Sequence, residues 1–213
     1  MLSKKITIID YGCGNILNLV RAIKFLGYEA DITRDKNKII NSSYVILPGV
    51  GAFGNAMKQI EKYNLHNTIL EYAKSNKPLL GICLGMQILL TVSYEFGVHK
   101  GLGLIEGKVI KISNEKNKEI KIPHMGWNEI YPNNNKKEWK NKILKNSSIG
   151  KSFYFVHSFV CITKNYDSTV AVCNYSDISI PAVVATGNVF GCQFHPEKSA
   201  DNGLAVLKNF CEI

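Results

Sequence analysis

The spacing of apolar positions changes along the chain and divides it into two regimes. In the first half, short apolar runs alternate with helical periods. Lys5–Asp10 (KITIID) predicts a strand. Ile16, Leu19, Val20, Ile23 and Leu26 then recur at i, i+3, i+4, i+7 and i+10, an amphipathic helix closed by Gly27 just past its C-terminus. Glu29–Thr33 and Tyr44–Leu47 predict further strands. Leu79–Ile82 (LLGI) is nearly all apolar, as suits a parallel strand covered on both faces, and it runs directly into a helical period at Leu84, Ile88 and Leu89. This alternation implies right-handed crossovers and an α/β fold. Its core is an open, mostly parallel central sheet with helices on both faces and chemistry at the carboxyl ends of the strands.

From Gly107 onward the pattern turns to β-rich segments: GKVIKIS, WNEIYP, SFYFVHSFVCIT and TVAVCNY. Two apolar runs, PAVVAT and VFGCQF, meet at Gly187-Asn188, a hairpin signal. These segments predict antiparallel strands added to the sheet in the C-terminal half, and a helix near Ala200–Phe210 closes the chain.

Composition narrows the class. With 213 residues, no internal repeat and no low-complexity linker, one domain over residues 1–213 is expected. At 46% hydrophobic and 20% charged residues, disorder, collagen and coiled coil are excluded. The longest apolar stretch, Pro78–Val92, is interrupted by Gln87 and two glycines and falls short of the roughly 20 residues of a membrane span. It predicts a buried strand followed by a helix. No export signal precedes Asp10. Six scattered cysteines without a CxxC pair point to a reducing, cytoplasmic setting. The net charge of +9 comes without any RNP, zinc-finger or helix-turn-helix pattern, so no nucleic-acid partner is expected. The lysines concentrate in stretches such as Asn133–Lys145, read as a solvated loop and helix edge.

Three constellations carry chemistry. Gly81-Ile82-Cys83-Leu84-Gly85 places a cysteine between two glycines at the junction of a buried strand and a helix, the geometry of a nucleophile elbow. The helix N-terminus behind Cys83 favours a thiolate and points backbone N–H groups at any oxyanion formed beside it. The same residues also suit a small core cysteine, and the spacing alone leaves both readings open. A thiol nucleophile needs a base, and the base needs an orienter. In Gln193-Phe194-His195-Pro196-Glu197, residues i and i+2 of an extended segment project to one side, so Glu197 can hold one imidazole nitrogen of His195 while the other faces Cys83. A structural histidine is the alternative. His66 and His99 fall in polar stretches read as exposed; His124 and His157 do not. The third element is Pro48-Gly49-Val50-Gly51-Ala52-Phe53, directly after a strand. It lacks the GxxxxGK[ST] of a phosphate loop, and an oxyanion hole formed by Val50 and Gly51 with the Leu84 N–H explains it better.

With these residues in view the sequence resembles the class I (triad) glutamine amidotransferases, and within them most closely the glutaminase subunits of imidazole glycerol phosphate synthase in histidine biosynthesis. The resemblance rests on DYGCGN (10–15), LPGVGAFG (47–54), GICLGMQ (81–87), IPHMGWN (122–128), FVHSF (155–159) and FHPEKS (194–199). It implies Cys83 as nucleophile, His195 as general base and acid, and Glu197 as orienter. Gln87 and Glu95 are implied as ligands of glutamine, Glu95 for its ammonium, with the loop at His157 and Ser158 closing over it. It also implies a heterodimer with a (β/α)₈-barrel cyclase. Asn15, Trp127 and Lys198 are the candidate interface residues, and the positive surface would suit an acidic partner face. No cofactor and no metal are called for. Tyr94 stands where many members carry a second acid, and Phe159 where tyrosine is common. Met86 is expected in the core and Trp127 partly buried. Other readings carry the same motifs: a paralogous glutaminase feeding a different synthase, for example one that modifies a surface sugar; a cysteine peptidase on the same scaffold; and a non-catalytic binding subunit.

Overall fold

A computed structural model describes residues 4–113, 120–133, 138–139, 141–145 and 147–213. Of the Asn- and Lys-rich stretch Asn133–Lys145, residues 134–137 and 140 lie outside the described residues.

The first half alternates as its apolar spacing predicts. β1 (Lys5–Ile9) leads to α1 (Ile16–Phe25), β2 (Glu29–Thr33), α2 (Lys36–Asn41) and β3 (Tyr44–Leu47). Next come α3 (Phe53–Lys62), α4 (Leu65–Lys74), β4 (Leu79–Ile82) and α5 (Leu84–Ile88). The chain continues through β5 (Leu90–Ser93), β6 (His99–Lys100), β7 (Ile105–Lys111), β8 (His124–Pro132), β9 (Ser152–His157) and β10 (Phe159–Thr163). β11 (Thr169–Tyr175), β12 (Ile178–Thr186), β13 (Val189–Cys192) and α6 (Ala200–Cys211) complete it.

Nine strands form one sheet in the order β2-β1-β3-β4-β13-β12-β11-β8-β9. Pairings from β2 to β13 are parallel, and those from β13 to β9 antiparallel. The hairpin turns at Gly187-Asn188 with Thr186 opposite Val189, and Gly187 has φ +58°. Alternate residues of the parallel strands serve opposite faces. Ile46, Leu80 and Ile82 pack with Leu19 and Ile23 of α1 and Val206 and Phe210 of α6. Val45, Leu47 and Leu79 pack with Phe53 and Ile60 of α3 and Ile69 and Tyr72 of α4. Each burial stabilises by roughly 1.5–3 kcal/mol per large side chain.

Two expectations are corrected. The helix after LLGI stops at Ile88, and Leu90–Ser93 is a strand. The returning segment captures the backbone there: Leu102 N–H donates to Ile88 O at 2.8 Å, and Leu104 and Ile105 N–H both reach Leu89 O. β7 and β10 do not extend the main sheet but form a second one, in the order β10-β7-β5-β6. SFYFVHSFVCIT is therefore split, with β9 on the large sheet, β10 on the small one and Ser158 at the crossing.

Candidate active site

β3, β4 and β13 are parallel neighbours, with Leu47 beside Gly81 and Ile82 beside Cys192, so the loops leaving their carboxyl ends meet. Cys83 follows β4 with φ +54° and ψ −110°, and α5 starts at the next residue. A non-glycine residue in such a conformation stores about 1–3 kcal/mol. Both flanking glycines are required by close approach. A Cβ on Gly85 would lie 1.8 Å from the Leu47 carbonyl oxygen, and one on Gly81 would lie 2.6 Å from the Gly85 carbonyl oxygen. The first helical bond of α5 runs from Gln87 N–H to Cys83 O, so the Leu84 N–H has no partner within the helix.

His195 arrives from β13 with its backbone pinned: its N–H donates to Tyr154 O at 2.9 Å, and Ser199 Oγ donates to its carbonyl at 2.7 Å. Its Nδ1 lies 2.8 Å from Glu197 Oε1, and both side chains are 4% exposed. Burial opposes the imidazolium, but hydrogen bonds to Cys83 and to Glu197 outweigh it and hold His195 up at about 10. The structure thus joins Cys83, His195 and Glu197. The Pro48–Gly51 segment lies against the elbow, where Tyr11 Oη donates to Pro48 O at 2.7 Å and Gly51 has φ +101°.

A cleft of about 610 Å³ opens over these residues, lined by Val50, Gly51, Cys83, Leu84, Gln87, Glu95, His157, Ser158 and His195 among others. Every residue predicted for the nucleophile, oxyanion hole and substrate therefore faces one space. Gln87 Nε2 donates to Phe159 O and to Gln193 Oε1, both at 3.2 Å. Gln193, fully buried, reaches Cys83 Sγ through its Nε2 at 3.8 Å.

Comparison with known proteins decides the family, since residues 7–213 match the family Glutamine amidotransferase class-I. The chain belongs to the class I glutamine amidotransferases. Among curated relatives of this amidotransferase, the imidazole glycerol phosphate synthase subunit HisH 1 of Legionella pneumophila (strain Lens) is 41% identical over 210 residues, covering 98% of this chain and 99% of the relative. Subunit HisH of Lactococcus lactis subsp. lactis is 44% identical over 98% of both chains, and that of Wolinella succinogenes 43% over 97% and 98%. Solved structures share the fold at low identity. PurLQS from Thermotoga maritima superposes with TM-score 0.73 at 20% identity over 99% of both chains. A putative GMP synthase subunit from Thermoplasma acidophilum gives 0.69 at 19%, covering 100% of this chain and 94% of the other.

The three residues predicted for a partner surface of the amidotransferase fall into two places. Trp127 is more than half exposed and packs edge-on against Tyr154 at 6.2 Å, and Lys198 Nζ lies 5.8 Å over the same Tyr154 ring. Asn15, exposed, instead borders a small cavity with Pro48, Val50, His195 and Glu197. Among the described residues no helix is long and apolar enough to cross a membrane, and all six cysteines are free and buried.

The sequence reading missed several residues of the amidotransferase site. Tyr11, Gln193, Ser199 and the cleft-lining Ile122-Pro123 all lie inside the motifs quoted above, which was the available signal. His99, read as exposed, is half-buried because its ring covers Gly54. His124 and His157 form a pair. His157 Nδ1 donates to Phe159 O at 2.9 Å, which makes its Nε2 the acceptor for His124 Nδ1 at 2.9 Å. His124 is stacked between Phe155 and Tyr175. Burial pushes both imidazoles down to about 4. An unfolded histidine titrates near 6.5, so between about 6.5 and 4 the unfolded chain binds more protons than the folded one. Stability from this pair is fully present above pH 6.5 and declines as pH falls toward 4. Thermal melting over pH 4–7 should show this as a loss of several degrees, and His124→Gln should flatten the slope. An unchanged slope would remove the pair from the acid response.

Proposed function

We propose that the chain, as one amidotransferase domain over residues 1–213, is the glutaminase subunit of an imidazole glycerol phosphate synthase. It hydrolyses glutamine to glutamate and ammonia and passes the ammonia to a cyclase. The observation that carries the reading is the buried His195–Glu197 pair hydrogen-bonded beside the strained Cys83 elbow, at the floor of a cleft of amino-acid size. The near full-length identity to HisH subunits supports the acceptor.

Each step follows from the groups in place. Cys83 Sγ attacks the side-chain carboxamide carbon, and charge moves to the carbonyl oxygen, where the Leu84 N–H and a Val50–Gly51 peptide N–H are the donors. One such donor contributes roughly 3 kcal/mol. His195 takes the thiol proton as Sγ attacks and delivers it to the departing nitrogen, and ammonia leaves as the C–N bond breaks. A γ-glutamyl thioester remains. Water then attacks with its proton passing to His195, the C–S bond breaks, and glutamate and the Cys83 thiol are released. Gln87 and Glu95 hold the amino-acid end of the substrate, Glu95 by its charge on the ammonium, and His157 and Ser158 form the wall where the chain crosses between sheets.

The partner is a (β/α)₈-barrel cyclase that combines the ammonia with its own substrate to give imidazole glycerol phosphate and the aminoimidazole carboxamide ribonucleotide. Asn15, Trp127 and Lys198 face it, and the complex is cytoplasmic. The deciding experiment measures glutamate release from free glutamine with and without the cyclase and its ligand. Stimulation by a different synthase and none by the cyclase would reassign the acceptor. Within that assay Glu197→Gln should keep the fold, since its amide oxygen still accepts from Nδ1–H, yet cut turnover by roughly 10²–10⁴-fold because the imidazolium loses its counter-charge. Turnover within about threefold of the unmodified enzyme would exclude Glu197 from the triad.

A further inference from the structure

α3 begins beside the oxyanion segment, and its own N-cap residue cannot satisfy it. Ala52 has no side-chain acceptor, and no side-chain bond caps the helix from that position. The acceptor comes from 42 residues away: Phe53 N–H donates to Glu95 Oε2 at 2.6 Å, in a buried setting. Glu95 is itself fixed, because its own N–H donates to Ser93 Oγ at 3.2 Å and Ser93 is fully buried on β5. The next strand adds a second grip. The His99 ring of β6 lies so close to the start of α3 that a Cβ on Gly54 would meet it at 2.7 Å. Around Glu95 the loop is open, with Tyr94, Phe96 and Val98 more than half exposed while Glu95 is 7% exposed. The carboxylate therefore ties the β5–β6 loop to the start of α3, two positions after Gly51, and it does so from the wall of the substrate cleft.

We propose that Glu95 is a positioning residue for the Val50–Gly51 segment as well as a ligand of the substrate's ammonium, so that occupation of the amino-acid subsite is read directly by the oxyanion hole. The inference rests on the glutaminase reading above. A carboxylate is an acceptor only, with room for several donors. An ammonium drawn to Glu95 competes with Phe53 N–H for the same charge, and the segment that supplies the oxyanion donor hangs from that N–H. Binding the correct amino acid thus adjusts the group that must stabilise its transition state.

Two variants and two substrates separate positioning from binding. The substrates are glutamine and 4-carbamoylbutanoate, which has the same carboxamide and carboxylate but no amine; the assays use the complex with the cyclase and its ligand. Glu95→Gln keeps an amide oxygen that can accept from Phe53 N–H but loses the charge. It should raise the KM for glutamine at least tenfold and bring the kcat values of the two substrates to within threefold of each other, because no charge is left for an ammonium to draw away from Phe53 N–H. Glu95→Ala loses the strut as well, and its kcat should fall at least tenfold on both substrates, the amine-free one included. If Glu95→Ala turns over 4-carbamoylbutanoate with unchanged kcat, Glu95 only binds ammonium and the inference is overturned. Should Glu95→Ala not fold, as read by its melting transition, His99→Ala tests the second grip outside the cleft. A several-fold drop in kcat on both substrates supports the inference, and an unchanged kcat overturns it. Failure of the unmodified enzyme to release glutamate from glutamine would instead strike the glutaminase reading.

Discussion

Cys83→Ala abolishes glutamine-dependent synthesis by the complex and leaves synthesis from free ammonium within about twofold of the unmodified enzyme. The first half of this expectation follows from the thioester route, which has no second nucleophile to fall back on. The second half follows from the backbone. Alanine at φ +54° carries much the same strain as cysteine, the site is walled by Gly81 and Gly85 rather than by the sulfur, and besides its bond with His195 Sγ makes long contacts, 3.8 Å from Gln193 Nε2 and 3.9 Å to Val156 O. Removing it costs little stability, so the subunit still docks. The measurement is a paired assay of one preparation with glutamine and with ammonium chloride. Loss of both activities would make Cys83 a structural residue and end the glutaminase reading.

The isolated subunit should hydrolyse glutamine about 10²-fold or more slowly than the complex with its partner's ligand bound. One missing oxyanion donor is worth roughly 3 kcal/mol, and each 1.36 kcal/mol is a factor of ten. Gly51 at φ +101° gives the Val50–Gly51 peptide a rotation that other residues resist, so it can present a carbonyl at rest and an N–H when stimulated. A ligand acting through the interface needs only a comparable preference for the second state. Gly51→Ala penalises the positive-φ backbone by about 1–2 kcal/mol. It should change the ratio of stimulated to basal hydrolysis roughly tenfold, with the KM for glutamine nearly unchanged. Full-rate hydrolysis by the lone subunit would refute this account of the segment while sparing the triad.

What the sequence made legible was local. The GICLG elbow is steric, and its two glycines announce the close approach that the Leu47 and Gly85 carbonyls impose. The helix of Ile16, Leu19 and Ile23 and the hairpin at Gly187-Asn188 are equally short-range devices. What stayed hidden depended on partners far along the chain. The LLGI helix looked longer because Leu89, Leu90 and Val92 suit either period, and only capture of Ile88 and Leu89 carbonyls by residues 102–105 ends it. The β-branched Thr91-Val92 pair was the one local hint. Tyr11, 37 residues from the carbonyl it holds, and Gln193, 110 from Cys83, lie within quoted motifs, but no local period shows what either side chain reaches.

The place of β13 in the sheet has a consequence for the nascent chain. β4, which carries the elbow, pairs on one side with β3 and on the other with β13, a strand more than a hundred residues later. While the ribosome is still reading the intervening codons, β4 has an open edge and the cleft lacks His195. Glutamine hydrolysis therefore begins only when the last strand has been inserted into the middle of the sheet, a long-range closure of the kind that slows folding. An unfinished copy that lacks residues 189–197 has the Cys83 thiol but neither the base nor the orienter proposed for it.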